Sequence, residues 1–358
     1  MNAPLEPGST VGILGGGQLA RMLEMAAARL GYRTVVLDPD ADAPAAQLAN
    51  QHIVATYDDR NGLELLARLS DVVTYEFENV PENAVAVLDP LVTVRPGGNA
   101  LAVAQDRLRE KSFLVEAGIP TADHRPVDDQ ASLEQAVDEL GGQAIVKTRR
   151  LGYDGKGQLR IVGGQAPVQG FEQLGSVPCI AEALVDFECE ISVIVARSVD
   201  DDVVCFDPAR NDHREGILAT STVPAAIDPE VEAAAVAAAT TLIRRLDYIG
   251  VLGLELFVLP EGTIVANEFA PRVHNSGHWT EAACAVSQFE QHLRAVTGLP
   301  LAQPGRHSDC VMENLIGDDV ERLPKLLLRP DTMVHLYGKR EVRTGRKMGH
   351  VTTLVPRG

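Results

Sequence analysis

The sequence Lys147-Thr-Arg-Arg-Leu-Gly-Tyr-Asp-Gly-Lys-Gly-Gln158 joins a short apolar strand, Ala144-Ile-Val-Lys147, to a second strand over 157–162. Its glycines expose backbone amides that can surround phosphate oxygens, and the lysine that ends the first strand adds a fixed positive charge. The stretch is not a P-loop, because no Gly-x4-Gly-Lys-Ser/Thr pattern is present. It therefore predicts either a phosphate-binding loop or an ordinary hairpin with exposed basic side chains.

Two carboxylates further along the chain form a second pattern. The turn Pro260-Glu-Gly-Thr263 has its centre between Glu261 and Gly262, and Glu255 and Glu268 lie equally far from that centre. Simple antiparallel pairing places these two carboxylates opposite each other, where they repel unless a cation lies between them. Mg²⁺ shared with nucleotide phosphates is such a cation. Two solvated surface glutamates in a looser register are the alternative.

The N-terminal hundred residues alternate strands with helices, which predicts a parallel sheet covered by helices. The predicted strands cover 10–14, 34–37, 52–55, 71–77, 144–147, 157–162, 179–184, 190–196, 252–259 and 263–269, and the predicted helices cover 18–30, 63–69, 104–117 and 229–246. An acidic bend is predicted to join the strands over 179–184 and 190–196. The sheet with its helices indicates an α/β protein.

The first turn of that sheet carries Gly15-Gly-Gly-Gln-Leu-Ala20, which fits the dinucleotide fingerprint G-x-G-x-x-A between a strand and a helix. Asp38 ends the next strand, where such proteins place a ribose ligand. The pattern is compatible with an NAD-type enzyme, with a tight structural turn, or with a phosphate site for another ligand.

Two further segments are rich in hydrogen-bond donors. Arg272, His274 and Asn275 follow the second carboxylate and can hold a small oxyanion. His274 and His278 are four residues apart, but the chain offers no third ligand beside them, which disfavours zinc there. The segment 339–350 contains five basic residues and is either a solvated turn or a phosphate clamp.

Composition excludes several classes of function. The 358 residues include 32 Lys and Arg against 50 Asp and Glu, a net charge of −18, which disfavours a nucleic-acid partner. No apolar run approaches the roughly 20 residues of a membrane helix, and the N-terminus has no signal pattern. The five cysteines are scattered without a CxxC pair, as expected for reduced thiols. We expect a soluble cytoplasmic protein without a membrane partner.

Together these segments resemble the ATP-grasp superfamily, and more narrowly its branch that carboxylates an aminoimidazole ribotide in purine biosynthesis. The resemblance spans essentially the whole chain in order. The segments that carry it are Gly15-Gly-Gly-Gln-Leu-Ala-Arg-Met22, Thr74-Tyr-Glu-Phe-Glu-Asn-Val-Pro81, Gln105-Asp-Arg107, Gly152-Tyr-Asp-Gly-Lys-Gly-Gln158, Asn267-Glu-Phe-Ala-Pro-Arg-Val-His-Asn-Ser-Gly-His-Trp279 and Gly345-Arg-Lys-Met-Gly-His350.

The resemblance implies an ATP-grasp fold in three domains and a homodimer. The implied domains are a Rossmann-like parallel-sheet domain over 1–100, a small α+β lid domain with the glycine-rich loop over 101–184, and a C-terminal α+β ATP-grasp domain over 185–358.

The resemblance also implies roles for individual residues. ATP would contact Arg107, Lys147, Gly152, Tyr153, Asp154, Gly155, Lys156, Gly157, Gln158, Glu182, Ala183, Leu184, Val185, Glu190, His213, Asn267 and Glu268. Glu255 and Glu268 would ligate Mg²⁺ or Mn²⁺, and Arg272, His274 and Asn275 would position bicarbonate. Gly16, Gln18, Glu76, Arg346 and Lys347 would surround the ribotide, with Tyr153 and Asp154 bridging the two substrates.

The implied reaction is carboxylation of 5-aminoimidazole ribonucleotide by ATP and bicarbonate through carboxyphosphate. A related ATP-grasp enzyme that formylates a ribotide through formyl phosphate is the nearest alternative, and it would share the carboxylate pair. The segments over 75–79 and 274–278 favour the carboxylating branch. An NAD-dependent oxidoreductase would leave the segment 147–158 and the carboxylate pair unexplained, and nothing positive favours a non-catalytic regulator.

Overall fold

The computed structural model describes residues 3–152 and 157–357, and within them the strands form three sheets. The first sheet is parallel, in the order β3-β2-β1-β4, as the strand–helix alternation predicts. Its strands are β1 (Thr10–Leu14), β2 (Arg33–Asp38), β3 (Gln51–Val54) and β4 (Val72–Tyr75). Its helices are α1 (Gln18–Arg29), α2 (Arg60–Leu69) and α3 (Glu82–Leu88), with a short 3₁₀ helix over Ala45–Gln47.

Two helices, α4 (Gly98–Ala104) and α5 (Arg107–Glu116), lead to the second sheet. This sheet is antiparallel in the order β5-β8-β6-β7 and is covered by helices on one face. Its strands are β5 (His124–Val127), β6 (Gln143–Thr148), β7 (Gln158–Val162) and β8 (Cys179–Ala183), and its helices are α6 (Gln130–Glu139) and α7 (Gly170–Gln173).

The third sheet is antiparallel and has nine strands, in the order β14-β13-β9-β11-β12-β15-β17-β16 with β10 paired to β9. The strands are β9 (Cys189–Arg197), β10 (Val203–Cys205), β11 (Ala209–Arg214), β12 (Ile217–Val223), β13 (Gly250–Val258), β14 (Ile264–Ala270), β15 (Asp309–Ile316), β16 (Thr332–Leu336) and β17 (Lys347–Val355). The helices are α8 (Pro229–Arg245), α9 (Thr280–Ala283), α10 (Gln288–Thr297) and α11 (Leu323–Leu326), with 3₁₀ helices over Asn275–Gly277 and Gly317–Arg322.

The first and third sheets share one hydrophobic core. Leu23 of α1, Phe289 of α10 and Val251 of β13 belong to a single buried cluster. The small second sheet has a core of its own, which includes Leu133 and Val146. The packing therefore holds the first and third sheets together and leaves the second as a separate layer above the space between them.

One prediction of local structure needs correction. The predicted helix over 104–117 is broken, because the Asp106 carboxylate accepts hydrogen bonds from the amides of Leu108 and Arg109 and starts α5 as its N-cap. The strands predicted over 179–184 and 190–196 are confirmed as β8 and β9, and they belong to different sheets. The bend between them therefore connects the second sheet to the third.

No helix among the described residues is long and apolar enough to cross a membrane. The predicted domain boundaries at residues 100 and 184 stay a prediction.

Candidate active site

A cavity of about 560 Å³ lies where the three sheets meet, and it gathers most of the predicted site residues. Those that line it are Gln18, Glu76, Arg107, Lys147, Gly152, Gly157, Gln158, Glu190, His213, Glu255, Asn267, Glu268, Arg272, His274, Asn275 and Lys347. Gly16, Glu182, Ala183, Leu184, Val185 and Arg346 are described but do not line it. Tyr153, Asp154, Gly155 and Lys156 lie outside the described residues.

The hairpin of β13 and β14 pairs Glu255 with Glu268, as predicted, but the register has a different origin. The turn is centred on Glu261, because the Leu259 amide donates to the Thr263 carbonyl at 2.8 Å. Regular pairing from that centre would place Asn267 opposite Glu255. A β-bulge between Glu255 and Leu256 corrects the register, so that Asn267 is an extra residue and both Asn267 and Glu268 line the cavity.

The two opposed carboxylates have different partners. Glu268 accepts a hydrogen bond from the Arg107 guanidinium at 2.5 Å, and this charge holds the pKa of Glu268 below its usual range. Glu255 lies 3.2 Å from Nε2 of His274. Burial, and after it the charge of Glu268, raises the pKa of Glu255. The hairpin thus holds two mutually repelling acids beside a cavity.

The same residues fit a hard divalent cation. Carboxylate and amide oxygens are the ligands that Mg²⁺ and Mn²⁺ prefer, and Glu255, Asn267 and Glu268 present such oxygens along one wall of the cavity. A cation there would also relieve the repulsion that raises the pKa of Glu255.

Helix α5 supports this hairpin through the predicted Arg107 and through two residues without a predicted role, Glu110 and Lys111. Arg107, Glu110 and Lys111 lie on one face of the helix at the i, i+3, i+4 spacing. Glu110 accepts a hydrogen bond from the Phe269 amide at 2.7 Å, and Lys111 donates to the Asn267 carbonyl at 2.5 Å. The helical spacing from Arg107 was the signal that could have revealed both residues.

Lys111 also belongs to a buried network with Lys147. The Glu182 carboxylate lies 3.1 Å from Nζ of Lys147 and 3.2 Å from Nζ of Lys111. Burial lowers the pKa of Lys147, and the charge of Glu182 opposes that change. The Glu182 side chain therefore orients Lys147.

The N-terminus of α5 also contacts the start of the glycine-rich connection. Arg149 donates two hydrogen bonds to the Asp106 carboxylate, at 3.0 and 2.8 Å, and Arg107 donates to the Gly152 carbonyl at 3.4 Å. One helix therefore contacts both the glycine-rich connection and the carboxylate hairpin.

Next to the carboxylate hairpin, Arg272, His274 and Asn275 line the same cavity. Arg272 forms an ion pair with Glu78, a residue that the sequence analysis quoted but assigned no role. Burial, together with the charge of Arg272, lowers the pKa of His274 to about 3, so this imidazole is neutral. Ser276 Oγ lies 2.8 Å from Nδ1 of His274, which leaves Nε2–H to donate toward Glu255.

Asn275 is unusual in this group. Its side-chain oxygen and nitrogen are both buried, and neither has a hydrogen-bond partner among the described residues. Buried polar atoms without partners are costly in a folded protein. Asn275 also lines the cavity, which makes its amide a candidate donor and acceptor for a polar ligand.

Beside the carboxylate hairpin, Glu190 lies 2.9 Å from Nδ1 of His213. Burial alone would lower the pKa of His213, but the hydrogen bond and charge of Glu190 raise it. These two side chains form an adjacent polar wall of the cavity.

The glycine turn, residues 15–20, is occupied by side chains of the chain itself. The Gly16 amide donates to the Asp38 carboxylate at 2.7 Å, and the amides of Gly17 and Ala20 donate to Glu76 at 2.8 and 3.0 Å. A Cβ at Gly17 would lie 2.6 Å from the Glu76 carboxylate, which explains the glycine. The donors that would hold a dinucleotide phosphate are therefore already used.

Comparison with known proteins agrees with this architecture. Three family models match in chain order: the ribonucleotide synthetase preATP-grasp domain over 9–105, the ATP-grasp domain over 112–289 and the phosphoribosylaminoimidazole carboxylase C-terminal domain over 310–357. The N5-carboxyaminoimidazole ribonucleotide synthase of Brucella melitensis is 59% identical over 355 residues, which are 99% of this chain and 98% of that protein.

Solved structures give the same result. The ADP complex of an N5-carboxyaminoimidazole ribonucleotide synthetase has a TM-score of 0.96 at 42% identity and covers 99% of this chain and 94% of that one. The Aspergillus clavatus N5-carboxyaminoimidazole synthase, solved with ADP and 5-aminoimidazole ribonucleotide, has a TM-score of 0.90 at 32% identity, with coverage of 98% and 94%.

The fold and the cavity define an ATP-grasp ligase. The predicted α/β fold with an N-terminal parallel sheet is confirmed. The chain belongs to the family of N5-carboxyaminoimidazole ribonucleotide synthases.

Proposed function

We propose that this protein uses ATP and bicarbonate to carboxylate the exocyclic amine of 5-aminoimidazole ribonucleotide, as a step of purine biosynthesis. The observation that carries this proposal is the content of one cavity. Lys147, Arg107 and the carboxylate hairpin line it together with the donors Arg272, His274 and Asn275, and His274 lies directly beside Glu255 of the hairpin. A nucleotide and a small oxyanion can therefore meet inside it.

In the nucleotide site, Arg107 and Lys147 bind the phosphates of ATP. The segment 182–185 presents its backbone to the adenine, and Glu190 accepts from the ribose hydroxyls next to His213. The glycine-rich connection from Gly152 to Gln158, including Tyr153, Asp154, Gly155 and Lys156, covers the phosphates. The Asp106–Arg149 hydrogen bonds support the base of that connection at 2.8–3.0 Å.

Glu255 and Glu268 hold Mg²⁺ or Mn²⁺, with Asn267 beside them, and the ion supplies positive charge to the oxygens of the transferring phosphoryl group. Two opposed carboxylates suit this role, because their mutual repulsion is relieved when a cation binds between them. Arg107, which forms an ion pair with Glu268, turns to the phosphates when the nucleotide binds.

In the oxyanion site, the unpartnered amide of Asn275 and the guanidinium of Arg272 bind bicarbonate. Neutral His274 donates its Nε2–H and removes no proton, because its pKa is about 3. These donors hold one bicarbonate oxygen against the γ-phosphorus of ATP. That oxygen forms the new P–O bond as the bond to ADP breaks, which yields carboxyphosphate.

The ribotide lies against the glycine turn and the segment near the C-terminus. Gln18 and Glu76 face its imidazole and ribose, Lys347 binds its phosphate, and Gly16 and Arg346 support them from outside the cavity wall. Tyr153 and Asp154 bridge it to the ATP site. The exocyclic nitrogen attacks the carboxyl carbon, or the CO₂ released from it, inorganic phosphate leaves, and the amine loses a proton. Exclusion of water protects the short-lived carboxyphosphate.

The test is ADP release measured with ATP, Mg²⁺, bicarbonate and 5-aminoimidazole ribonucleotide, with each component omitted in turn. Full release should require both bicarbonate and the ribotide. ADP formation that ignores both would overturn the proposal. Replacing bicarbonate with formate tests the formylating alternative, which requires a formylated ribotide among the products.

The phosphate role of Lys347 has a separate test. Lys347→Ala should raise the KM for the ribotide roughly 10–100-fold, the effect of losing one charge-assisted hydrogen bond, while the KM for ATP stays within about twofold. The neighbouring exposed variant Arg343→Ala is the control. An unchanged ribotide KM would remove Lys347 from the phosphate site.

We also propose a homodimer and a cytoplasmic location, both on the resemblance to the family, and the three-domain division at residues 100 and 184. Light scattering measures the oligomeric state, and cell fractionation tests the location.

Limited proteolysis tests the three-domain division, with early cleavage expected near residues 100 and 184.

A further inference from the structure

A group of metal-ligand side chains lies outside the active-site cavity. Glu281 of α9, His335 of β16 and His350 of β17 bring one ligand atom each within 4.8 Å of the others. His335 and His350 face each other directly across the antiparallel pair of β16 and β17. Three separate elements therefore present ligands to one point.

The distances suit a single ion. Glu281 Oε2 lies 3.1 Å from Nδ1 of His335, and the ring centres of His335 and His350 are 5.1 Å apart. Two imidazoles on one tetrahedral zinc ion have ring centres roughly 5 Å apart, given Zn–N bonds of about 2.0–2.1 Å. The two ring planes are within 8° of parallel, so one imidazole must turn as the group contracts around the ion.

The surroundings of these histidines favour binding of a metal ion over protonation of the imidazoles. Burial lowers the pKa of His350 well below its usual range, as it does for neighbouring His278. Neutral imidazoles offer their lone pairs without first losing a proton. The Tyr337 hydroxyl lies 2.9 Å from Nδ1 of His350, an outer partner of the kind that fixes the ring of a metal-bound histidine.

The site is also accessible. His350 is 2% exposed, whereas the side chains of His335 and Glu281 are 12% and 19% exposed. An ion can therefore reach His350 past the other two ligands. With three protein ligands, a tetrahedral ion keeps one position for water or another small ligand.

We propose that Glu281, His335 and His350 form a binding site for a divalent transition-metal ion of the zinc type. Two imidazole nitrogens and one carboxylate select zinc, cobalt or nickel over Mg²⁺, which prefers an all-oxygen shell. The site is therefore chemically distinct from the carboxylate hairpin. Its ion ties α9 to the strand that begins at Lys347, and its binding energy adds to the stability of the folded chain.

The test uses the full-length protein, stripped with a chelator and kept in millimolar Mg²⁺ so that the carboxylate hairpin is not offered to zinc. Calorimetric titration with Zn²⁺ should give one equivalent. Co²⁺ should produce the visible absorption of a tetrahedral ion. Glu281→Gln and His335→Asn remove one ligand each at partly exposed positions, and each should weaken Zn²⁺ binding more than roughly tenfold and abolish the Co²⁺ bands.

Matched controls separate this site from others. His307→Asn changes an exposed histidine elsewhere, and Glu268→Gln changes the carboxylate hairpin; both should bind Zn²⁺ like the unaltered protein. The melting temperature should rise with Zn²⁺ in these proteins and stay constant in Glu281→Gln and His335→Asn. Two results would overturn the proposal: no zinc bound by the unaltered protein, or the same affinity in the two ligand variants.

Discussion

Two parts of this molecule each bring two carboxylates together, and they do so to opposite effect. At the glycine turn, Asp38 and Glu76 accept hydrogen bonds from backbone amides at 2.7–3.0 Å. At the hairpin, Glu255 and Glu268 oppose each other across the bulge and have no backbone donors of this kind among the described residues. The first pair stabilises the backbone of the turn, whereas the second pair makes no such contribution and faces the cavity.

The difference between the two pairs shows under which condition a sequence pattern indicates a ligand site. Gly15-Gly-Gly-Gln-Leu-Ala20 has the spacing of a dinucleotide loop, yet its donors serve side chains that arrive from β2 and β4. The hairpin has no named loop pattern, yet it brings together two carboxylates whose partners are the side chains of Arg107 and His274 and not backbone amides. A motif binds a ligand only if the remaining chain does not use its donors first.

The largest expected effect separates the two pairs by activity. Glu268→Gln should lower kcat by at least about 10²–10³-fold, because the hairpin loses charge where the phosphoryl group reacts. Its circular dichroism should match that of the unaltered protein. Glu261→Gln, in the exposed turn of the same hairpin, should keep full activity. A near-normal rate in Glu268→Gln would end the distinction between the pairs.

The same substitution at the glycine turn should act on stability. The two carboxylate oxygens of Glu76 accept hydrogen bonds from the amides of Gly17 and Ala20. Glu76→Gln replaces one of these oxygens with an NH₂ group, so the free energy of unfolding in urea should fall by about 1.5–3 kcal/mol. Glu64→Gln breaks an exposed pair with Arg60 and should change it by less than about 0.5 kcal/mol. Equal stability of the two variants would contradict a structural role for Glu76.

A third carboxylate tests the pH dependence of the glycine-turn region. Burial raises the pKa of Glu24, on α1, from 4.5 to about 8, and its bond to Thr34 opposes this only in part. The folded chain therefore binds this proton more tightly than the unfolded chain does. Its stabilising contribution is complete below pH 4.5 and is lost as the pH rises through about 8.

Glu24→Gln should remove that dependence. Between pH 5 and 8 the free energy of unfolding of the unaltered protein should fall by on the order of 1–2 kcal/mol relative to that of the variant. This is less than about 1.4 kcal/mol for every unit of the pKa shift, because water enters around the newly charged carboxylate. Unfolding in urea across this range measures the difference, with Glu116→Gln on an exposed helix end as the control. Parallel pH profiles would contradict the prediction.

The smallest effect concerns the hairpin in the absence of any cation. Glu255→Gln removes a like charge directly opposite Glu268, so it should raise the stability of Mg²⁺-free protein by about 0.2–1 kcal/mol, while activity is lost. Thermal unfolding in chelator measures this. A loss of stability would mean that the Glu255–His274 contact outweighs the repulsion.

Much of this architecture could be predicted from the sequence. Strand–helix alternation predicted the parallel sheet, and the sequence around Pro260 predicted the hairpin and the pairing of Glu255 with Glu268. That pairing was correct although the turn centre was misplaced by half a residue. The bulge at Asn267 made up the difference, and no periodic pattern shows where a bulge will form.

What the sequence could not show depends on contacts between distant elements. The break before α5 arises because Asp106 binds amides of its own helix and also Arg149, 43 residues later in the chain. Lys111 looks like an ordinary helix-surface lysine, and only the approach of β8 and β14 reveals its buried bonds. Such residues become functional candidates only after the layers are assembled.

The bulge at Asn267 also has a consequence for how this family can vary. Its backbone is held by Glu110 and Lys111 of α5, through the Phe269 amide and the Asn267 carbonyl, and not by the turn at its end. Insertions between residues 259 and 263 would therefore leave the carboxylate pair in register. The length of that turn and the position of the carboxylates are therefore separate, whereas a substitution at position 110 or 111 acts directly on the hairpin from another helix.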